Sequence, residues 1–142
     1  MDFFTSLEVT ASGLSAERTR INVASSNLAN VNTTQSPTGG PYQRRDVVIG
    51  SAPVPGQERG GYASAVQEVQ VKAIVQDQTA PRLEYDPQHP DANADGNVAY
   101  PNINAVAEMV DMITASRAYE AGITSLDTAV HMAERAISIG SR

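Results

Sequence analysis

The chain has 142 residues, a formal net charge of −6 and no cysteine. Its length fits one domain or one small domain with extensions, and its acidic balance excludes a protein that binds nucleic acid through a basic surface. The lack of cysteine excludes disulfides, thiolate nucleophiles and cysteine-based metal sites.

The first residues of the chain, 1–4, include neither a basic region nor an apolar run of signal-peptide length. No stretch approaches the ~20 consecutive apolar residues that a membrane-spanning helix needs. We therefore expect no direct membrane insertion. The protein is either cytoplasmic or exported by a route that reads something other than a cleavable signal.

Residues 2–31 form the first of three zones, and their pattern predicts a helix. Apolar side chains recur every seven residues, and this spacing keeps them on one face of a helix because two turns nearly return to the same angle. Several serines and Gly13 lower the helix propensity, so we expect this helix to need a partner surface. The series consists of Leu7, Leu14, Ile21 and Leu28.

The predicted helix ends in a run rich in asparagine, with Asn27, Asn30 and Asn32. Asparagine tolerates left-handed backbone angles and hydrogen-bonds its own backbone. These residues therefore predict a helix end followed by a turn, and we place the boundary of the N-terminal region at residue 34.

The middle zone, residues 35–100, is rich in glycine and proline and predicts strands and loops rather than helices. We expect strands over Asp46–Ile49, Val69–Gln76 and Arg82–Tyr85, the second of them half-buried because its apolar and polar residues alternate. Turns are expected at Gly39–Gly40 and Gly60–Gly61. The apolar content is too low for a large core.

The last zone, residues 101–142, predicts a long helix over about 102–140. Its apolar positions are spaced alternately by four and three residues, as in a coiled-coil seam. Pro101 suits the first turn and Gly140 the end of the helix. The seam consists of Ala105, Met109, Met112, Ser116, Tyr119, Ile123, Leu126, Val130, Ala133 and Ile137.

The predicted fold is mainly α with a small β part. Long N- and C-terminal helices form a coiled-coil-like pair, and a short β-hairpin and loop region lies between them. Two helices alone leave much apolar surface in water, so we expect other subunits to cover it. The alternative is an ordinary helical hairpin within a monomer.

Candidate chemical groups are few, and we expect no catalytic site, cofactor or metal. Asp91, Asn93, Asp95 and Gly96 match the opening of a calcium-binding EF-hand loop, but position twelve is Asn102 instead of glutamate. A calcium-responsive binding module using residues 91–102 remains an alternative. The two histidines, His89 and His131, lie in separate zones and form no ligand pair.

The remaining charged groups fit a solvated surface. The basic pair Arg44–Arg45 is expected on an exposed loop, and the acids Glu108 and Asp111 on a solvated helix face. No converging set of nucleophile, base and oxyanion donor is visible, so an enzyme is not expected.

Several motifs resemble the flagellar axial proteins, which include the rod and hook proteins. The N-terminal part of the resemblance rests on Ser12-Gly13-Leu14 and on residues 25–33, SSNLANVNT. The rest of the chain resembles the proximal-rod proteins in particular. The resemblance as a whole covers nearly the whole chain. It rests on TGGPY at 38–42, YDP at 85–87, VAYPN at 98–102, EMVDMI at 108–113 and ASRAYEA at 115–121.

The resemblance implies a structural subunit that polymerises into a drive shaft, transmits torque and encloses the axial export conduit. It implies export by the flagellar type III apparatus without cleavage, and a periplasmic rod between the basal ring and the hook. Implied partners are other rod proteins, copies of the same chain and the ring–rod junction protein. A different axial protein remains an alternative.

In such a rod the apolar seams would form the assembly interface, and the asparagines would shape the turn out of the first helix. We assign the interface to Leu7, Leu14, Ile21, Leu28, Met109, Met112, Tyr119, Ile123, Leu126, Val130 and Ile137.

Overall fold

The computed structural model describes residues 3–37, 39–54 and 66–140. Two long helices flank a small β part along the chain, as predicted, and that part has four strands. The elements are α1 (Phe3–Ala29), β1 (Arg45–Pro53), β2 (Gln67–Gln76), β3 (Arg82–Tyr85), β4 (Asn97–Tyr100) and α2 (Ala105–Gly140). The predicted turn at Gly60–Gly61 and Thr38 of the TGGPY motif lie outside the described residues.

Helix α1 tolerates its many hydroxyl residues because they bond to the helix itself. Thr10 Oγ1 donates to Ser6 O at 2.8 Å, and Thr19 Oγ1 donates to Ser15 O at 2.9 Å. Such bonds to the preceding turn satisfy the hydroxyl but add little helix stability. The helix therefore depends on packing for most of its stability.

The asparagine-rich run ends α1 as predicted, but through side-chain bonds. Asn30 Nδ2 donates to Ser26 O at 2.8 Å, and Asn30 Oδ1 accepts the hydroxyl of Thr33 at 3.1 Å. Among the described residues, a positive φ occurs only at Gly39, Gly40 and Gly96. No asparagine among the described residues therefore adopts the left-handed conformation that was expected at the end of α1.

Helix α2 begins at Ala105, and Asn104 caps it. Asn104 Oδ1 accepts the backbone N–H groups of Val106 at 3.0 Å and Ala107 at 3.2 Å. These N–H groups have no acceptor within the helix, so the cap replaces bonds to water. The prediction that Pro101 lies in the first turn is wrong: Pro101 precedes the helix and is buried.

Two small sheets lie between the helices in sequence. Strands β1 and β2 pair in one, and β3 and β4 form the other as an antiparallel pair with Arg82 opposite Tyr100 and Tyr85 opposite Asn97. In β2 the expected alternation fails after Val71, because Ala73, Ile74 and Val75 are all exposed. Strand β4 was not predicted, although it carries the fully buried Val98.

The loop joining β3 to β4 is closed by its own hydrogen bonds. Asp86 N donates to Gly96 O at 3.0 Å, and Asn93 Oδ1 accepts the N–H groups of Asp95 and Asn97 at 3.0 and 2.9 Å. Gly96 has φ +77°, and a Cβ there would lie 2.9 Å from Tyr85 Cε2. Glycine is required for both reasons.

The described residues divide into two compact units, each with parts of both helices. The first lies within residues 1–19, 49–72 and 114–142, and the second within 20–48 and 73–113. Apart from Pro101, the buried apolar residues among those described are few and mostly small: Ala16, Val54 and Ala115 in the first unit, and Ala24 and Val98 in the second. Among the described helices, none has the length and apolarity to cross a membrane.

Replacing Asn104 with alanine should destabilise the chain by about 1 kcal/mol, because two N–H groups at the start of α2 lose their acceptor. Thermal unfolding followed by circular dichroism measures this effect. Asn102→Ala is the matched control, since Asn102 is exposed and precedes the helix. Equal unfolding temperatures for the two variants would contradict the assignment of the cap.

Replacing Gly96 with alanine should destabilise the chain by about 1–2 kcal/mol, because alanine is strained in the left-handed backbone conformation. Displacement of the Tyr85 ring by the new Cβ should add to this loss. Gly39→Ala is the control for the backbone alone, because Gly39 has φ +85° with no atom within 4 Å of an added Cβ. Denaturant unfolding should therefore rank Gly96→Ala as the less stable variant. A Gly96→Ala chain as stable as the parent would contradict this account.

Candidate assembly site

The predicted seam of α2 is built on a half-buried series that recurs every seven residues. On either side of it lie two flanks that differ in size and exposure. Three residues turn a helix by about −60° and four by about +40°, so the positions three and four residues after each member of the series lie on opposite sides of it. We call the positions three residues after it the inner flank and those four residues after it the outer flank. The series consists of Ala105, Met112, Tyr119, Leu126 and Ala133.

The residues of the inner flank are small, except Glu108, and they are better buried than those of the outer flank. Ala115 is fully buried, and Gly122 lies against α1, where a Cβ would come within 2.7 Å of Leu14 Cδ2. The missing side chain at Gly122 therefore lets Leu14 pack directly against the α2 backbone. The inner flank consists of Glu108, Ala115, Gly122 and Ala129.

The outer flank carries large apolar side chains that the chain does not fully cover. Met109 is 41% exposed, Ile123 40% and Ile137 72%, while Ser116 and Val130 are half-buried. The four predicted positions on α1 are all half-buried. These are Leu7, Leu14, Ile21 and Leu28.

In the second unit a polar cluster with a buried centre joins α1, the residues at the start of β1, and α2. At its centre Asn27 is 1% exposed, and all four of its side-chain hydrogen-bonding positions are used. Asn27 Nδ2 donates to Arg45 O at 2.8 Å and to Glu108 Oε2 at 2.9 Å. Asn27 Oδ1 accepts Arg45 N–H at 2.9 Å and the Tyr42 hydroxyl at 3.1 Å. We call Asn27, Tyr42, Arg44, Arg45 and Glu108 the Asn27 network.

Glu108 supplies the buried charge of the network. It is 2% exposed, and Arg44 Nε donates to its Oε1 at 2.7 Å. Burial acts to lower the pKa of the Arg44 guanidinium, but the hydrogen bond and charge of Glu108, with Asp46, leave that pKa above its usual value. The Arg44 guanidinium therefore stays charged at neutral pH, and each oxygen of the Glu108 carboxylate has a donor.

A second ion pair lies beside the network, between Arg20 Nη2 on α1 and Asp111 Oδ1 on α2 at 3.0 Å. Together with the bond from Asn27 to Glu108, it shows that the helices are antiparallel in this unit. As residue numbers rise along α1 from Arg20 to Asn27, they fall along α2 from Asp111 to Glu108.

Sequence reasoning missed the network because each member had a simpler interpretation. Glu108 was expected on a solvated face, and that prediction is wrong. Arg44 was expected on an exposed loop, but its side chain is only 25% exposed. Asn27, assigned to the turn, lies within α1 with its side chain buried. The available signal was Glu108 at an inner-flank position otherwise occupied by small residues.

The residues of the suggested calcium loop have other bonds. Asn93 Oδ1 accepts two backbone N–H groups, and Asp91 Oδ2 accepts the hydroxyl of Thr34 at 2.8 Å. Within residues 3–37, 39–54 and 66–140, no three acidic or histidine side chains are grouped to hold a metal ion. His89 Nδ1 accepts Asp91 N–H in the same loop at 3.1 Å, and His131 lies beside Glu134 on the exposed face of α2.

Comparison with known proteins gives one consistent family. Residues 7–35 match the flagella basal body rod protein family, and residues 94–139 match the C-terminal family of the flagellar basal body rod FlgEFG proteins. The flagellar basal-body rod protein FlgC of Borreliella burgdorferi is 40% identical over 98% of both chains. The FlgC proteins of Bacillus subtilis and Salmonella typhimurium are each 38% identical, over 99% and 94% of both chains.

Replacing Asn27 with alanine should lower the free energy of unfolding by about 2–4 kcal/mol, because the buried carboxylate of Glu108 and partly buried groups of Arg45 and Tyr42 lose partners. Denaturant unfolding measures the loss. Asn22→Ala on the exposed side of the same helix is the control, and it should be neutral or slightly stabilising. A loss below about 0.5 kcal/mol for Asn27→Ala would show that water or other groups replace the network.

Proposed function

We propose, from the premise that this chain belongs to the FlgC family of flagellar basal-body rod proteins, that it polymerises through the outer flank of α2 and the half-buried face of α1. The chain is a structural subunit of the bacterial flagellar rod. The homologues are structural proteins, and the proposed mechanism is mechanical rather than enzymatic.

The observation that carries the proposal is the apolar outer flank of α2. Met109, Ile123 and Ile137 keep the seven-residue register of a coiled-coil seam yet stay at least 40% exposed. An exposed apolar stripe of this length is typical of an interaction surface. Knobs from a neighbouring helix would fill the spaces between these side chains and remove the stripe from water.

The assembly face of α1 supports the same proposal. Leu7, Leu14, Ile21 and Leu28 are half-buried, so each keeps apolar surface that its own chain does not cover. Burying such surface stabilises an assembly by roughly 25 cal/mol per Å². Helices from adjacent subunits are the natural cover, because a long helix with few buried residues of its own depends on tertiary contacts.

We place the assembled protein in the periplasmic proximal rod, exported by the type III apparatus without a cleavable signal. Its neighbours would be further copies of the chain, other rod proteins and the ring–rod junction protein. Stiff interlocked helices would transmit torque around an axial export conduit. Family membership supports this placement, together with the acidic composition, which disfavours a role on nucleic acid.

Electron microscopy of basal bodies from a strain with an in-frame deletion of the gene tests the proposed function. We expect membrane rings without a rod, and swimming restored by the gene supplied on a plasmid. Intact rods and normal swimming in the deletion strain would overturn the proposal.

Ile123→Asp should abolish rod formation while the isolated chain keeps its fold, because the carboxylate would lose water only on assembly. Leu126→Asp, at a half-buried position, should lower the stability of the isolated chain as well. Motility, basal-body micrographs and circular dichroism of the purified chains measure these effects.

The matched control is Ser125→Asp, which introduces the same charge about 200° around the helix from Ile123 at an exposed position. It should leave the isolated chain folded. Normal rods built from Ile123→Asp subunits would refute the assignment of the outer flank.

A further inference from the structure

We propose that the Asn27 network sets the register between α1 and α2, so that Glu108 and Arg44 act as positioning residues for the helix pair. The inference concerns contacts within one chain and does not depend on the proposed role in the rod. It assigns to the polar residues a task that the apolar residues of the two helices are poorly suited to perform.

The large apolar residues alone do not define one register, although Gly122 favours the native one by receiving Leu14. On α1 the spacing of Leu7, Leu14, Ile21 and Leu28 repeats every seven residues with nearly identical side chains. The half-buried series on α2 repeats with the same period. A slip of seven residues, about 10 Å along the axis, would bring similar apolar faces together again.

The polar residues are not periodic in this way. In the second unit Asn27 bonds directly to Glu108. A slip of seven residues would bring either Pro101 or Ala115 to the position opposite Asn27, and neither side chain can accept its N–H. Glu108 would at the same time lose contact with Asn27.

The slipped pair would also leave a carboxylate without its partners. Glu108 is 2% exposed and takes one hydrogen bond on each oxygen, from Arg44 Nε at 2.7 Å and from Asn27 Nδ2 at 2.9 Å. A buried carboxylate that loses its donors is strongly unfavourable. The network therefore adds a large cost to each slipped register.

The position of Arg44 ties the register to the rest of the unit. Asn27 bonds both the N–H and the C=O of Arg45, which fixes the start of β1 against α1. Arg44 extends from that fixed segment to Glu108 on α2. Glu108 thus receives hydrogen bonds from α1 and from Arg44, in the segment between α1 and β1. In coiled coils a single buried polar residue fixes the register in a similar way.

Spin-label distance measurements on the full chain test the proposal, and the absence of cysteine makes labelling site-specific. The labels are attached at Asn22→Cys on α1 and Val106→Cys on α2, both exposed and both in the second unit. The test variant is Arg44→Met with Glu108→Leu, which removes one charge of each sign and leaves both bonds of Asn27 to Arg45 intact.

We expect one dominant distance in the labelled parent. In the Arg44→Met, Glu108→Leu variant we expect a further population displaced by about 10 Å along the helix axis, with the helical circular dichroism signal retained. Glu108→Gln alone keeps one acceptor oxygen for Asn27 but turns an NH2 group toward Arg44, so it should give a smaller displaced population than the double variant.

The matched control is Arg82→Met with Glu84→Leu, which removes an exposed ion pair in β3 and should leave the distance unchanged. A single native distance in the Arg44→Met, Glu108→Leu variant would overturn the proposal, as would the absence of a dominant distance in the parent. Loss of helical signal in that variant would also overturn it, since the network would then support folding rather than register. Basal-body micrographs of the deletion strain report on the proposed function separately.

Discussion

The burial of Glu108 is the constraint on which the second unit depends. A carboxylate removed from water must receive hydrogen bonds, and its donors come from two other segments of the chain. Asn27 donates from α1, and Arg44 donates from the segment before β1. Since Asn27 also bonds the backbone of Arg45, the end of α1, the start of β1 and the first turns of α2 must form together. The cost of the buried charge is offset only when all three are in place.

The apolar residues that the two helices bury are small, and several of their large apolar residues stay exposed. Ala16, Ala24 and Ala115 are buried, and Gly122 receives Leu14 against its backbone. Met109, Ile123 and Ile137 remain on the other flank of the same helix. Close approach of two helices favours small side chains, whereas an interface with further helices favours large interlocking ones. If the outer flank is the assembly surface, as proposed, the two flanks of α2 differ in composition because they meet different surfaces.

The sequence alone predicted the long helices but not the buried polar contacts. A seven-residue period maintained along α1 and α2 predicted both helices and their ends within a few residues, because periodicity sums over many positions. Strand β4 has only four residues, too few for a pattern. Glu108 was predicted as solvated because an acid on a helix usually is. Its donors lie 81 and 64 positions away along the chain, so only the folded arrangement shows why the charge is buried.

The most direct test of the account is the accessibility of position 123 before and after assembly. A single cysteine introduced at Ile123 would be the only thiol in the chain. Maleimide labelling of the isolated subunit should be rapid, because the side chain is 40% exposed. In purified basal bodies the same cysteine should be protected, because neighbouring helices would cover the outer flank. Equal labelling rates in the subunit and in the rod would contradict the claim that this flank is the assembly surface.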